Sequence, residues 1–454
     1  MSDLKKSKPQ ELTGKKCLVV GLGTSGRSAC ELLLREGARV TATDSRPLEA
    51  LDPEVVDLDV RLAVGGHDTV DFLSPDLIVV SPGVPSFPRL EAAVAAGVEV
   101  IGETELAARF LRAPLFVVGG TNGKSTATTL LGHLMAVKNP RVFVGGNLGE
   151  PACDAPLQGP DIAILEVSSF QMERLRHFRP EIALLLNISE DHLDRYADFE
   201  EYVRAKGNCF ENQQPADVAI FPYGDALCEE QVNRGKARKI TFGSGGDYFV
   251  EGHDVVERAT GVRFNLESVD LYGGHNYLNA AAAIAAARAH GVSAGDIEEG
   301  LRRFRALRHR MALSGRYNGV PFYDDSKATN VGAAVKALLN LSEEKGILIA
   351  GGKDKMGSFE PLIAAIAQKA RAVVLIGEAS SRLATAIGAR VPVERSRSLQ
   401  DAVVRAYRLA ELGDAVLLSP ACSSFDMFKN YSERGERFTQ AVQALPRLLK
   451  EDEV

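Results

Sequence analysis

Short apolar runs that stop abruptly at Gly, Ser, Asn or Asp, each followed by a longer stretch of helical spacing, recur along almost the whole chain. Residues 17–20, 38–43, 76–80 and 98–101 form a first set, 115–118, 161–165, 181–186 and 217–221 a second, and 347–350, 372–376 and 415–418 a third. Continuous apolar runs, as opposed to alternating ones, suit strands buried on both faces, which is the pattern of parallel sheets covered by helices. The Ala-rich stretch from Tyr277 to His290 predicts a buried helix in the second set, and the charged segment LRRFRALRHRMALSG predicts a hinge before the third. With 454 residues, 45% of them apolar, the chain has the material for several cores. The expectation is an α/β protein of three domains, 1–103, 104–308 and 309–454, each built on a mainly parallel sheet.

The balance of charge narrows the partners. A formal charge of −7 argues against nucleic acid, because phosphate-backbone affinity needs a basic face. Anionic ligands must then be held by local Lys and Arg. Six cysteines, Cys17, Cys30, Cys153, Cys209, Cys228 and Cys422, lack paired spacing and read as reduced thiols. The polar start MSDLKKSKPQELTGKK lacks an apolar signal segment, and the apolar run around Ala280 to Ala287 is far shorter than the roughly 20 residues a membrane span requires. A cytoplasmic protein without membrane insertion is expected, with a monomer preferred.

In open parallel sheets, ligands bind beyond the carboxyl ends of the strands. The distinctive motifs all stand there: GLGTSG after Val20, GGTNGKST after Val118, EVSS after Leu165, NISEDH after Leu186, GGKDK after Ala350 and SPACSS after Leu418. In GGTNGKST, the segment Gly120, Thr121, Asn122, Gly123, Lys124, Ser125 and Thr126 joins a strand to a helix. Its glycines let N–H groups approach phosphate oxygens, Lys124 adds a point charge, and the Ser125 hydroxyl suits Mg²⁺. The middle domain is therefore expected to be P-loop ATPase-like, although Val118 stands where the full pattern has Gly. Glu166 ends a neighbouring strand and is placed as a metal carboxylate. His192, among Asn187, Glu190, Asp191 and Asp194, is a candidate for metal or substrate. Lys206 falls on a predicted helix, where solvation is the ordinary state of a lysine.

Gly21, Gly23 and Gly26 spell GxGxxG, and Asp44 closes the next strand. This context fits a Rossmann-like nucleotide turn and keeps an NAD-dependent oxidoreductase in play. The turn signals a diphosphate at a helix N-terminus, however, and a dehydrogenase has no use for GKST. A P-loop kinase accounts for GGTNGKST but not for the second diphosphate turn. A Rossmann-like third domain completes the expected architecture.

Together GLGTSG, DSR, GGTNGKST, GGNLG, EVSSFQME, NISEDHLDRY, GGHNYLNA, HR, DDSKATN, GGKDK and SPACSSFDMFKNYSERG resemble the Mur ligases over nearly the whole chain. The middle motifs are shared with folylpolyglutamate-type ligases, whereas DSKATN and SPACSSFDMFKN resemble the D-glutamate-adding members. The resemblance implies an ATP-dependent amide ligase that adds D-glutamate to UDP-N-acetylmuramoyl-L-alanine through an acyl phosphate, in peptidoglycan precursor synthesis. It implies UDP-substrate contacts at Thr24, Ser25, Asp44, Ser45, Arg46, Gly83, Asn147 and His192, and ATP contacts at Lys124, Asn276, Asn279, Arg310 and Asp325. D-Glutamate is expected at Lys327, Thr329, Lys355, Ser424 and the backbone of Tyr431. Ser125, Glu166 and His192 would ligate Mg²⁺ at two sites, joined by Lys206 if its amine is carbamylated.

Overall fold

The structure, a computed structural model, describes residues 11–191, 195–269, 271, 273–305, 308–354 and 358–451. The first sheet is entirely parallel, in the order Arg61–Val64, Arg39–Asp44, Lys16–Val20, Leu77–Val80, Glu99–Gly102. Its central strand shows why the apolar run is continuous. Cys17 and Val19 enter the core on one face, and Leu18 and Val20 enter a separate core on the other.

The second sheet has nine strands. Val142–Gly146, Ile162–Glu166, Leu115–Gly119, Ile182–Leu185, Val218–Pro222, Arg238–Phe242 and Tyr248–Glu251 run parallel, and Asp254–Glu257 and Arg263–Asn265 extend the edge antiparallel. The Ala-rich stretch forms the helix Gly274–Ala289, and every residue from Ala280 to Ala287 is fully buried. The third sheet runs Ala312–Tyr317, Val320–Asp324, Ala415–Leu418, Gly346–Gly351, Ala370–Ile376, Val393–Arg395, antiparallel only in its first pair. Residues 306 and 307 of the expected hinge lie outside the described residues.

Two compact units result. One runs to Ile188 and takes in Tyr196–Asn265 and Ala280–Arg303; the other comprises Phe304 onward with Ser189–Arg195 and Leu266–Asn279. The first two sheets therefore share a unit. Hydrogen bonds cross their seam: the buried Glu103 carboxylate accepts from Cys153 N–H at 2.6 Å, Ser28 donates to Asp154, and at the surface Arg35 Nη1 donates to the Pro156 carbonyl at 2.7 Å.

Candidate active site

The strand Leu115–Gly119 hands over to the helix Lys124–Ala136 through a loop whose shape depends on glycine. Gly120 has φ +135°, and a Cβ there would stand 3.1 Å from Leu186 Cβ and 3.2 Å from the Leu186 nitrogen. The NIS loop is drawn in just as closely. Asn187 O accepts from Thr121 N at 2.9 Å, Asn187 Oδ1 accepts from Asn122 N at 2.9 Å, and Asn187 Nδ2 donates back to Asn122 O at 2.9 Å. Lys124 curls over the loop and donates to the carbonyls of Gly120 at 3.0 Å and Thr121 at 2.9 Å. No acidic residue occupies the first helical turn, so its positive end is left for an anion.

Beneath the loop, Ser125 Oγ donates to one oxygen of Glu166, and Asn147 Nδ2 donates to the other at 2.7 Å. Glu166 is buried at the end of its strand, and Asn147 N–H also bonds its carbonyl at 2.8 Å. Among the described residues no three His, Cys, Asp or Glu side chains gather as a protein cage for a metal. One carboxylate and one hydroxyl beside a Gly-rich loop at a helix N-terminus nevertheless suit Mg²⁺, which keeps waters and takes its remaining ligands from phosphate. Ser125 and Glu166 have the chemistry for that role.

Lys206 departs from the ordinary solvated lysine. On the helix Phe199–Gly207 it is only 2% exposed, donates to the Gly120 carbonyl at 2.8 Å and lies 4.5 Å over the Tyr202 ring. Tyr202 in turn bonds Thr121 Oγ1 at 2.9 Å. Gly120 to Thr126, Asn147, Glu166 and Lys206 are thus one cluster. His192, expected beside it, lies outside the described residues.

At the first sheet, the GxGxxG turn packs on the turn that contains Gly83. Ser81 Oγ donates to Gly21 O at 2.7 Å, and a Cβ on Gly26 would collide with that same carbonyl at 1.8 Å. Thr24, Ser45, Arg46 and Gly83 are exposed and Ser25 is half-buried. Asp44 is buried and braces the turn: Oδ2 accepts from Leu22 N–H at 2.7 Å and Oδ1 from Arg46 N–H at 2.9 Å, with the Arg46 guanidinium on both oxygens. Burial pushes its pKa up, but these hydrogen bonds outweigh it and hold the carboxyl at about 2. Sequence reasoning offered Asp44 as a ligand contact and did not foresee this brace.

In the second unit three motif loops are tied together by backbone bonds. Ala421 N donates to Ala328 O at 2.9 Å, Gly351 N to Pro420 O at 2.9 Å, and Lys353 N to Ser423 O at 2.9 Å. Arg434, fully buried and unnoticed in the sequence, clamps two of them, donating to Ser326 Oγ at 2.9 Å, Ser326 O at 2.8 Å and Cys422 O at 3.1 Å. Ser326 Oγ bonds the Tyr431 carbonyl at 2.8 Å, and His309 Nδ1 bonds Asp324 at 2.6 Å. Lys327, Thr329, Ser424 and Tyr431 are carried on this framework; Lys355 lies outside the described residues.

Asp325 is held by Ser419 Oγ at 2.9 Å, and burial pushes its carboxyl up to about 7, with the Arg310 charge pulling it back. Asn276 and Asn279, both buried, sit one turn apart on their helix and bond each other at 3.1 Å.

Comparisons with known proteins identify the family. The chain matches the families described as "Mur ligase MurD-like, N-terminal domain" over residues 15–102, "Mur ligase middle domain" over 118–287 and "Mur ligase, glutamate ligase domain" over 309–422. It belongs to the Mur ligase family. Among relatives of this Mur ligase, the "UDP-N-acetylmuramoylalanine--D-glutamate ligase" of Geotalea daltonii is 43% identical over 96% of this chain and 98% of its own. The protein of the same name from Geotalea uraniireducens is 44% identical over the same shares. The three-domain α/β fold recurs in solved structures. A UDP-N-acetylmuramate-alanine ligase from Thermotoga maritima gives a TM-score of 0.59 at 20% identity, covering 95% of this chain and 99% of that one. A MurF ligase from the same organism, in complex with ADP, gives 0.59 at 19% identity, covering 97% and 96%. Among the described residues, no helix is long and apolar enough to cross a membrane.

Proposed function

We propose that this Mur ligase joins D-glutamate to the alanyl carboxylate of UDP-N-acetylmuramoyl-L-alanine at the expense of ATP, as a cytoplasmic monomer in peptidoglycan precursor synthesis. The observation that carries the reading is the Lys124, Ser125 and Glu166 array under a phosphate loop, in a chain 43% identical over 96% of its length to a relative named for that reaction. Its domains divide at 103 and 308.

A carboxylate resists amine attack because its oxygen leaves poorly, so it must first be phosphorylated. The alanyl carboxylate attacks the γ-phosphorus of ATP, ADP leaves, and a mixed anhydride forms. The neutral amine of D-glutamate then attacks the acyl carbon; the C–N bond forms, the C–O bond to phosphate breaks, and the amine proton is lost. The chain contributes mainly position and charge. Lys124 and the N–H groups of Gly120 to Thr126 hold the phosphates, Asn276, Asn279, Arg310 and Asp325 hold the rest of the nucleotide, Ser125 and Glu166 would hold Mg²⁺, and His192 with a carbamylated Lys206 would hold a second ion. Bound there, Mg²⁺ would neutralise the charge that builds on the transferring phosphoryl group.

Thr24, Ser25, Asp44, Ser45, Arg46, Gly83 and Asn147 receive the UDP-linked substrate, while Lys327, Thr329, Lys355, Ser424 and Tyr431 receive D-glutamate. The test is phosphate release from ATP with UDP-N-acetylmuramoyl-L-alanine and D-glutamate, L-glutamate or L-lysine in turn, with NADH oxidation as control. Release that requires D-glutamate is expected. Release without any amino acid, or equal release with L-lysine, overturns the reading.

A further inference from the structure

Lys327 is a half-buried lysine whose ammonium lies 3.9 Å from the centroid of the Tyr431 ring. Among the described residues no carboxylate pairs with it. The difference matters for a residue meant to receive an anion. A carboxylate partner would cancel its charge, whereas the face of an aromatic ring attracts a cation through its quadrupole and leaves the full positive charge available on the other side.

The residue that carries the ring is itself anchored. Tyr431 opens the helix Tyr431–Glu451, its carbonyl accepts from Ser326 Oγ at 2.8 Å, and the His309 ring meets it edge-on at 6.5 Å and 78°. His309 is fixed in turn by Asp324 at 2.6 Å, and its carbonyl accepts from Lys327 N–H at 3.1 Å. Lysine backbone, ring face and ring edge therefore form one closed figure. The flexible four-carbon stem of a lysine loses considerable rotamer freedom when its ammonium must occupy one place. A ring that already marks that place removes part of this cost before the substrate arrives.

We propose that Tyr431 is a positioning residue, whose ring face fixes the Lys327 ammonium where a carboxylate of the amino-acid substrate meets it. The inference rests on the D-glutamate reading above and adds a role for the ring to the backbone contact expected there. The hydroxyl is not required for it.

Steady-state kinetics on Tyr431→Phe, Tyr431→Leu and a series of singly, doubly and triply fluorinated phenylalanines at 431 test the idea, because fluorine drains the ring quadrupole at nearly constant shape. Tyr431→Phe, which keeps a ring face, should raise the KM for D-glutamate much less than Tyr431→Leu does. Tyr431→Leu should raise the KM for D-glutamate roughly tenfold, with the KM values for ATP and the UDP substrate little changed. The fluorinated series should raise the KM for D-glutamate step by step. A flat series in an active protein, or a Tyr431→Leu variant in which all three KM values rise together, overturns the ring's role. A wild-type protein without D-glutamate-dependent phosphate release overturns the functional reading on which it rests.

Discussion

Replacing Glu103 by Gln should stabilise the seam between the first two sheets at alkaline pH and leave it nearly unchanged in acid. Glu103 begins the helix Glu103–Phe110, where the helix dipole favours a negative charge by about 0.3–1 kcal/mol. Burial works against it and wins. The side chain is 1% exposed, and despite the Cys153 N–H bond at 2.6 Å its carboxyl is pushed from an ordinary 4.5 up to about 7, with the nearby Asp154 adding to the effect. The native state thus binds a proton that the unfolded chain has released. The neutral acid contributes its full stability below pH 4.5, loses it as pH rises toward 7, and above that the ionised form leaves a cost of roughly 3 kcal/mol. Gln keeps an oxygen to accept from Cys153 and never ionises.

The assay is hydrogen exchange, corrected for intrinsic rates, in the segments Glu99–Phe110 and Asp154–Gln158, because a multidomain chain need not unfold in two states. Asp325, raised to about 7 in the other unit, titrates over the same range, but its contribution cancels in the difference between variant and wild type. Protection in Glu103→Gln should exceed wild type by up to about 3 kcal/mol at pH 8.5 and converge with it near pH 4. A difference that stays constant across that range would refute the argument.

Two further outcomes concern the phosphate cluster. Lys124→Ala removes the ammonium that closes the loop over Gly120 and Thr121, and should lower kcat for phosphate release at least ~100-fold; near-normal turnover would sink the phosphate-loop assignment. Lys206→Ala empties a buried place against the Gly120 carbonyl. Activity should fall and then recover partly with added small carboxylates, and full activity without them would refute the carbamate role.

Much of the architecture was legible in the chain. The apolar runs at 17–20, 115–118 and 415–418 mark central strands because both faces of each are buried, so no polar residue interrupts them. The antiparallel strands Asp254–Glu257 and Arg263–Asn265 escaped that reading because they are short, and in DVVE and RFN charged or polar residues leave no apolar run longer than two. Val320–Asp324 is entirely buried, yet Pro321 within VPFYD disguises it, since proline ordinarily argues against an interior strand.

The site divides along the same line. A Gly-rich turn followed by Lys and Ser between a strand and a helix is local, so the sequence alone located that loop and, with the strand-end motifs, the family. Where a side chain is taken out of water depends on residues far away in sequence, and only the tertiary structure decided it. Lys206 donates to the carbonyl of Gly120, 86 residues before it, Asp44 accepts from the N–H of Leu22, 22 residues before it, and Arg434 binds Ser326, 108 residues before it. Periodicity records which face of an element is apolar; it carries no record of which distant polar groups meet there.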